Sequence, residues 1–375
     1  MKQNRFENSA STAENPDIPY PINVSEMGDL NFEQRISQFL NSENFLNIVK
    51  EFPSAERATK LGMVIEYFII HPDGFDLENF VQQLQANPAI KSMSDANELI
   101  VASIAHKLNI KNTEDSENSE AIFQYFNDKY ERNGYYFHGF NGSFRNDIQK
   151  NGLSVKERHW NWTELEKIIE IAKKAGQPMI LGWADINSKE RISLAASANN
   201  IYSYAYASPE WFAAFVSEGS HVSDEEDRKK AFYRRDYKTA KNNIEKLVAA
   251  LTSRKQEDIE AKKAYPNITP QEKQAILDFF EKYWKIFAEE KSKLEGALVK
   301  KSATKWGRST PVSLADYKKH FTGNKITTVQ DVIKTELIGD ETFHHDMQIN
   351  HDIPPEAIKI IELPSYDKVF PETSE

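Results

Sequence analysis

A run of aromatic residues, Tyr135-Tyr136-Phe137, closes on His138-Gly139. Aromatic runs favour strands, so the histidine and glycine stand at the end of one. A glycine there lets a ligand approach the backbone closely. Ile148 follows ten residues after the histidine, placed to anchor a helix to the core, and Gly152-Leu153 then opens an extended segment. A second group is Tyr202, Tyr204 and Tyr206 within Ile201–Ala207, where large and small residues alternate. That alternation predicts a strand with the three rings on one face, and it leaves open which ring offers a stacking platform. Ser208-Pro209-Glu210 then starts a helix, with Ser208 as N-cap and Pro209 at the first helical position. A third group, His344, His345, Asp346, His351 and Asp352, lies within nine residues. Imidazole and carboxylate would suit zinc or iron, but neighbours on a strand point to opposite faces, so His344 and His345 do not share one ion. No metal is expected. The chain has no cysteine, which removes a disulfide framework, a thiolate metal site and a cysteine nucleophile.

The elements that must position these groups can be read from spacing and charge. The 375 residues leave room for two or three domains. Lys+Arg total 47 against Asp+Glu 57, a net charge of −10, which argues against a nonspecific phosphate-backbone binder and leaves no nucleic-acid partner expected. Glycine, at 14, is scarce, and no Gly-rich dinucleotide or phosphate-loop motif occurs. The longest mainly apolar run, Leu61–Ile70, is interrupted by Glu66 and is half the length a bilayer-spanning helix needs. The N-terminal residues lack the apolar stretch of a secretory signal. A soluble chain without a membrane span is expected.

Residues 1–30 are polar, carry Pro16, Pro19 and Pro21, and read as a disordered lead-in. From Asn31 the apolar positions fall at helical spacing (Phe32, Ile36, Phe39 and Leu40), and further helical patterns cover Ala55–Ile70, Leu77–Gln85 and Asp95–Leu108, separated by Pro53, Pro72 and Pro88. Residues 31–110 thus read as a helical domain, and Asn112–Ser119 as a linker. A helix over Ala121–Arg132 stops at Asn133-Gly134, and Trp162–Ala175 is helical. His159, beside Trp160 and Trp162, reads as a packed aromatic loop, and Asp224–Asp227 as a solvated helix start. Residues 224–305 are densely charged, with Leu247, Leu251, Ile276, Phe279, Phe280, Tyr283, Trp284 and Phe287 at helical spacing; they read as a helical insertion between sheet elements. A helix over Val329–Leu337, an extended Thr342–Asn350, the turn Ile353-Pro354-Pro355-Glu356 and a strand over Lys359–Leu363 complete an α+β chain, with 365–375 as a tail.

In this order and context the three segments resemble the motifs of the ADP-ribosyltransferase superfamily, in its His-Tyr-Glu branch of diphtheria-toxin-like and poly-ADP-ribose-polymerase-like enzymes. The resemblance covers roughly residues 121–222 and 325–364. It implies a mixed or antiparallel sheet core and NAD as co-substrate. Gly139 would hold the nicotinamide amide through its backbone and His138 the adenosine ribose. Tyr204, or Tyr202, would stack on the nicotinamide, ahead of the helix begun at Ser208. The catalytic glutamate of the family stands seven residues before the isoleucine of the last turn. Here that position is Asp346, with Gln348 on the same strand face and Glu341 as the alternative in another register. The aspartate is a departure, and the paired acidic motif of arginine-directed members is absent. The implied activity is mono-ADP-ribosyl transfer to a protein acceptor, a glycosyltransferase reaction in which a carboxylate stabilises the oxocarbenium-like ribose. Members with helical appendages are often secreted bacterial toxins or virulence effectors, which would make the acceptor a host protein. Three rivals stand beside this reading. They are a catalytically inactive binding module of the same fold, an RNA 2′-phosphotransferase-like enzyme disfavoured by the acidic balance, and a helical interaction protein.

Overall fold

The computed structural model describes residues 30–91, 93–130, 134–155, 162–175, 191–198, 201, 236–252, 257–258, 263–264, 266–288, 294–304, 313–320, 328–338 and 346–371. It is an α+β chain of helices around a small antiparallel sheet.

Six helices come first: α1 (Phe32–Leu40), α2 (Glu43–Glu51), α3 (Arg57–Ile70), α4 (Leu77–Ala86), α5 (Met93–Lys107) and α6 (Ser116–Lys129). A capping box starts α1, where the Asn31 side chain accepts from the Gln34 N–H at 2.8 Å and the Gln34 side chain accepts from the Asn31 N–H at 3.1 Å. The side chains of α3 are buried on every side from Lys60 to Ile70, which makes it the middle of the layer. His71, just past its end, is buried between the Tyr125 hydroxyl and Ser103 Oγ, each 2.9 Å away. Burial lowers its pKa to about 4, so it is a neutral, satisfied core histidine.

The sheet is built from β1 (Tyr135–Asn141), β2 (Ile192–Ala195), β5 (Leu294–Lys300), β6 (Asp346–Ile349) and β7 (Ile358–Leu363), in the order β6-β2-β1-β5-β7. A separate two-residue pair joins β3 (Glu257–Asp258) to β4 (Lys263–Ala264). Period-two alternation gives the sheet two faces. Tyr135, Phe137, Ala195, Leu294, Leu298 and Ile361 pack into one core with the helices α1–α6. Phe140, Ile192, Leu194, Ala297, Val299, Ile349 and Ile360 face the other way, onto α7 (Arg145–Asn151) and the segments around Leu153 and Ile353. Further helices are α8 (Trp162–Lys174), α9 (Tyr237–Thr252) and α10 (Pro270–Ala288), where α8 reaches α10 through Lys174–Glu272 at 2.8 Å and Lys282–Glu164 at 2.7 Å. The chain closes with α11 (Leu314–His320), α12 (Val329–Ile338) and α13 (Tyr366–Val369).

Several expectations change. Residues 31–110 are not a separate unit, because their apolar side chains and one face of the sheet form a single core. The linker is shorter than its composition suggests: Asp115 accepts from the Glu117 and Asn118 N–H groups and starts α6 at Ser116. The helical reading of 224–305 fails at its end, where Leu294–Lys300 is a central strand. Both faces of that strand are buried, so its apolar residues run on without the alternation that marks a half-exposed strand. The strand that pairs with β1 on its other side is Ile192–Ala195, a segment the sequence reading left unassigned. Ile201 itself is helical, and the Ala198 carbonyl accepts its N–H at 3.1 Å. Residues 202–207 lie outside the described residues, as do 1–29 and 224–235.

The tail is also partly structured. Val369 is fully buried, and Arg57 donates to the Phe52, Val369 and Lys50 carbonyls at 2.9, 2.8 and 2.7 Å, tying the C-terminal helix to the first helices. Arg57→Ala is expected to cost about 2 kcal/mol, because three carbonyls lose a charged donor and only part of that loss is repaid by water. Urea denaturation measures it, and a loss below about 0.5 kcal/mol would show that α13 docks through apolar contact alone.

Candidate functional site

His138 sits where the sheet comes apart. Its strand β1 keeps seven register pairs with β5 but a single pair with β2, Phe137↔Ala195. Strand β2 in turn holds four pairs with β6. The sheet is therefore a three-stranded half and a two-stranded half joined at one row, and they part at His138. The imidazole spans the gap, its Nδ1–H donating to the Ser193 carbonyl at 2.9 Å. That bond fixes the tautomer. The ring also lies nearly parallel to Phe140, with centroids 6.4 Å apart and planes at 17°. Gly139 faces Gly296 across β1 and β5. A Cβ on Gly296 would meet Ile201 Cδ1 at 2.2 Å, so Ile201 covers this pair of glycines from the helical side.

A tether joins the first segment to the last. Leu153 and Ile353 exchange both backbone hydrogen bonds, at 3.0 and 2.8 Å. Gly152 makes the approach possible, with φ +78° and no room for a side chain against the Ile353 carbonyl. Asp352 Oδ1 accepts from the Val155 N–H at 2.8 Å and from Ser154 Oγ at 3.2 Å, and His351 Nε2 donates to the Ala303 carbonyl at 3.1 Å. Asp352 and His351, considered as metal ligands, thus have structural partners. His344 and His345 lie outside the described residues.

The register separates other residues that the sequence grouped. Asp346 is paired with Ala195, and Ala195 with Phe137, so by backbone position 346 belongs to the row that faces the helices. Gln348 is paired with Ser193 and shares that face. His138 is one residue on from Phe137 and belongs to the opposite face. The expected constellation of His138 with Asp346 and Gln348 on one surface is therefore not what the pairing delivers. Tyr202, Tyr204, Ser208 and Glu341 lie outside the described residues.

Two acidic residues escaped the sequence reading as site candidates. Glu295, only 4% exposed, lies on the His138 face of β5, opposite Phe140, with Arg145 Nη1 2.6 Å from its Oε1. It is a diagonal neighbour of His138, a placement with Cα atoms about 7–8 Å apart. Glu66 is fully buried in the helical layer. The signal in both cases is a lone carboxylate inside an apolar run. A polar groove of about 610 Å³ lies elsewhere, between α1, α7 and β7, lined by Gln34, Gln38, Arg145, Gln149 and Lys359 among others; His138 is not part of it.

Set against protein families, curated proteins and solved structures, the chain matches none.

Proposed function

We propose that this chain is an NAD-binding protein of the ADP-ribosyltransferase kind, holding the dinucleotide at the opening between β1 and β2, and that it acts as a binding module rather than through catalysis by Asp346. The observation that carries the reading is the parting of the sheet at His138-Gly139, with the Gly152-Leu153 segment bound to Ile353 behind it. The half-buried imidazole of His138, oriented by the Ser193 carbonyl, is the group at this row that a planar ligand would meet, and such a site needs no metal. The register of β6 favours binding without transfer: a transition state with cationic character needs an anion on the ribose side, and position 346 stands on the other face from His138.

Transfer of ADP-ribose to a protein acceptor, as a secreted effector would perform it, is the second reading. The tether favours it, because it brings the first and last segments together in the order the family uses them. Calorimetric titration with NAD and a nicotinamide-release assay separate the two. Wild type should bind NAD, and His138→Ala should weaken binding about tenfold, the worth of one oriented hydrogen bond. Nicotinamide release should stay at the spontaneous rate in wild type and in Asp346→Ala alike. Release by wild type that Asp346→Ala abolishes would establish the transferase instead. No NAD binding by wild type would remove both readings.

A further inference from the structure

β7 is the outer strand of the sheet, and its free edge is covered at one end. Glu362 turns its main chain outward there. Ser37 Oγ accepts its N–H at 2.9 Å and Asn41 Nδ2 donates to its carbonyl at 3.2 Å, so α1 closes the edge at that residue. Alternate residues of an antiparallel strand direct both main-chain groups to the same side. Ile360 and Ile358 therefore point the same way as Glu362, away from β5. The Ile358 N–H is taken by the Pro355 carbonyl. That leaves the Ile358 carbonyl and both main-chain groups of Ile360 without a hydrogen-bond partner among the described residues. Ile360 is only 7% exposed, and buried main-chain groups are nearly always paired. Both isoleucines line the polar groove of about 610 Å³ between α1, α7 and β7.

We propose that this groove takes an extended polypeptide segment of another protein, added to β7 as one further strand. Strand addition draws its affinity from main-chain hydrogen bonds and its selectivity from side chains. The walls suit a main chain: Gln38 on α1 and Gln149 on α7 are exposed amides that can both donate and accept. The charges favour a segment without net charge, because both described cations of the groove already have an anion beside them. Arg145 is 2.6 Å from Glu295, and Lys359 is 3.9 Å from Glu33. A second copy of this sheet does not fit the edge, since α1 holds it at Glu362 and two β7 strands could not pair along their length. A small-molecule ligand would want an apolar and aromatic lining, and no aromatic ring is among the described residues that line the groove. The proposal is independent of the NAD reading, because His138 lies outside the groove.

The test pans the full chain against a displayed library of random seven-residue peptides, and the selected sequences are then made as synthetic peptides with blocked ends. They should carry no net charge. In the free chain the Ile360 N–H should exchange at least tenfold faster than the Ile361 N–H, which faces β5, and bound peptide should remove that difference. Methylating alternate main-chain nitrogens of the peptide should abolish binding in one set and be tolerated in the other, because an edge uses every second N–H. Replacing Gln38 and Gln149 together by Ala, both at exposed helix positions, should keep the melting temperature and weaken binding about tenfold. A library that yields no peptide shielding Ile360, or peptides indifferent to both methylated sets, overturns the proposal. So does an Ile360 N–H that is already protected in the free chain and loses protection when residues 1–29 are removed, which would assign the groove to this chain itself.

Discussion

Phe137→Ala is expected to destabilise the protein by about 4 kcal/mol, within the range for emptying a phenylalanine site in a closed core. Phe137 is completely buried, flanked by Ala195 on one strand and Leu298 on the other, in the core shared by the sheet and helices α1–α6. Ala195 and Ala198 are too small to fill the space, so the cavity would persist. The position matters beyond its volume, because Phe137↔Ala195 is the single register pair that joins the two halves of the sheet. Hydrogen exchange should therefore show β2 and β6 losing protection before β5 and β7, which keep their own pairing. Phe137→Leu, which leaves most of the volume in place, should cost about 1–2 kcal/mol. Urea denaturation with circular dichroism measures both variants. A cost below about 1.5 kcal/mol for Phe137→Ala, or uniform loss of protection, would mean that the two halves are held together by something other than this row.

Gly152→Ala should cost about 3 kcal/mol although it adds a single methyl group. Gly152 has φ +78° and ψ −159°, a region essentially confined to glycine, where another residue carries about 1–3 kcal/mol of strain. The added Cβ would also stand 1.9 Å from the Ile353 carbonyl oxygen and 3.0 Å from its carbon. These are backbone atoms and have no rotamer to retreat into. The Leu153–Ile353 bridge must open, and with it the Asp352 contacts to Ser154 and Val155. Gly296→Ala is the informative comparison. Its Cβ meets side chains and no backbone, Ile201 Cδ1 at 2.2 Å and Cγ1 at 2.9 Å with Ile361 Cγ1 at 3.4 Å, and the glycine has no positive φ. It should cost less, because Ile201 can change rotamer. Denaturation midpoints of the two variants check the order, and a Gly296→Ala protein less stable than Gly152→Ala would reverse the argument.

Much of this protein follows from local pattern. The helices α1, α3, α4, α5, α8 and α12 appear close to where apolar spacing, caps and prolines place them, because each buries one stripe or, in α3, its whole surface. The start of β1, the strand β7 and the turn at Pro354-Pro355 are equally local: aromatic and β-branched runs, and a proline pair in which Pro355 opens a single 3-10 turn. β1 does not stop at His138-Gly139 but runs on to Asn141, because β5 pairs with all seven of its residues. His138-Gly139, Ile148 and Gly152-Leu153 were legible as a unit, and the tether to Ile353 is the physical reason for Gly152. What the sequence left undecided depends on partners far along the chain. Leu294–Lys300 is a strand because β1 and β7 pair with it on both sides, which no window of its own residues reveals. The turn that follows β2 gives the Ala198 N–H to Glu66, 132 residues away. Whether Asp346 shares a face with His138 depends on strand register, where a shift of one residue exchanges the two faces. Composition and spacing are the same for both registers; only the pairing of Ala195 with both Phe137 and Asp346 chooses between them.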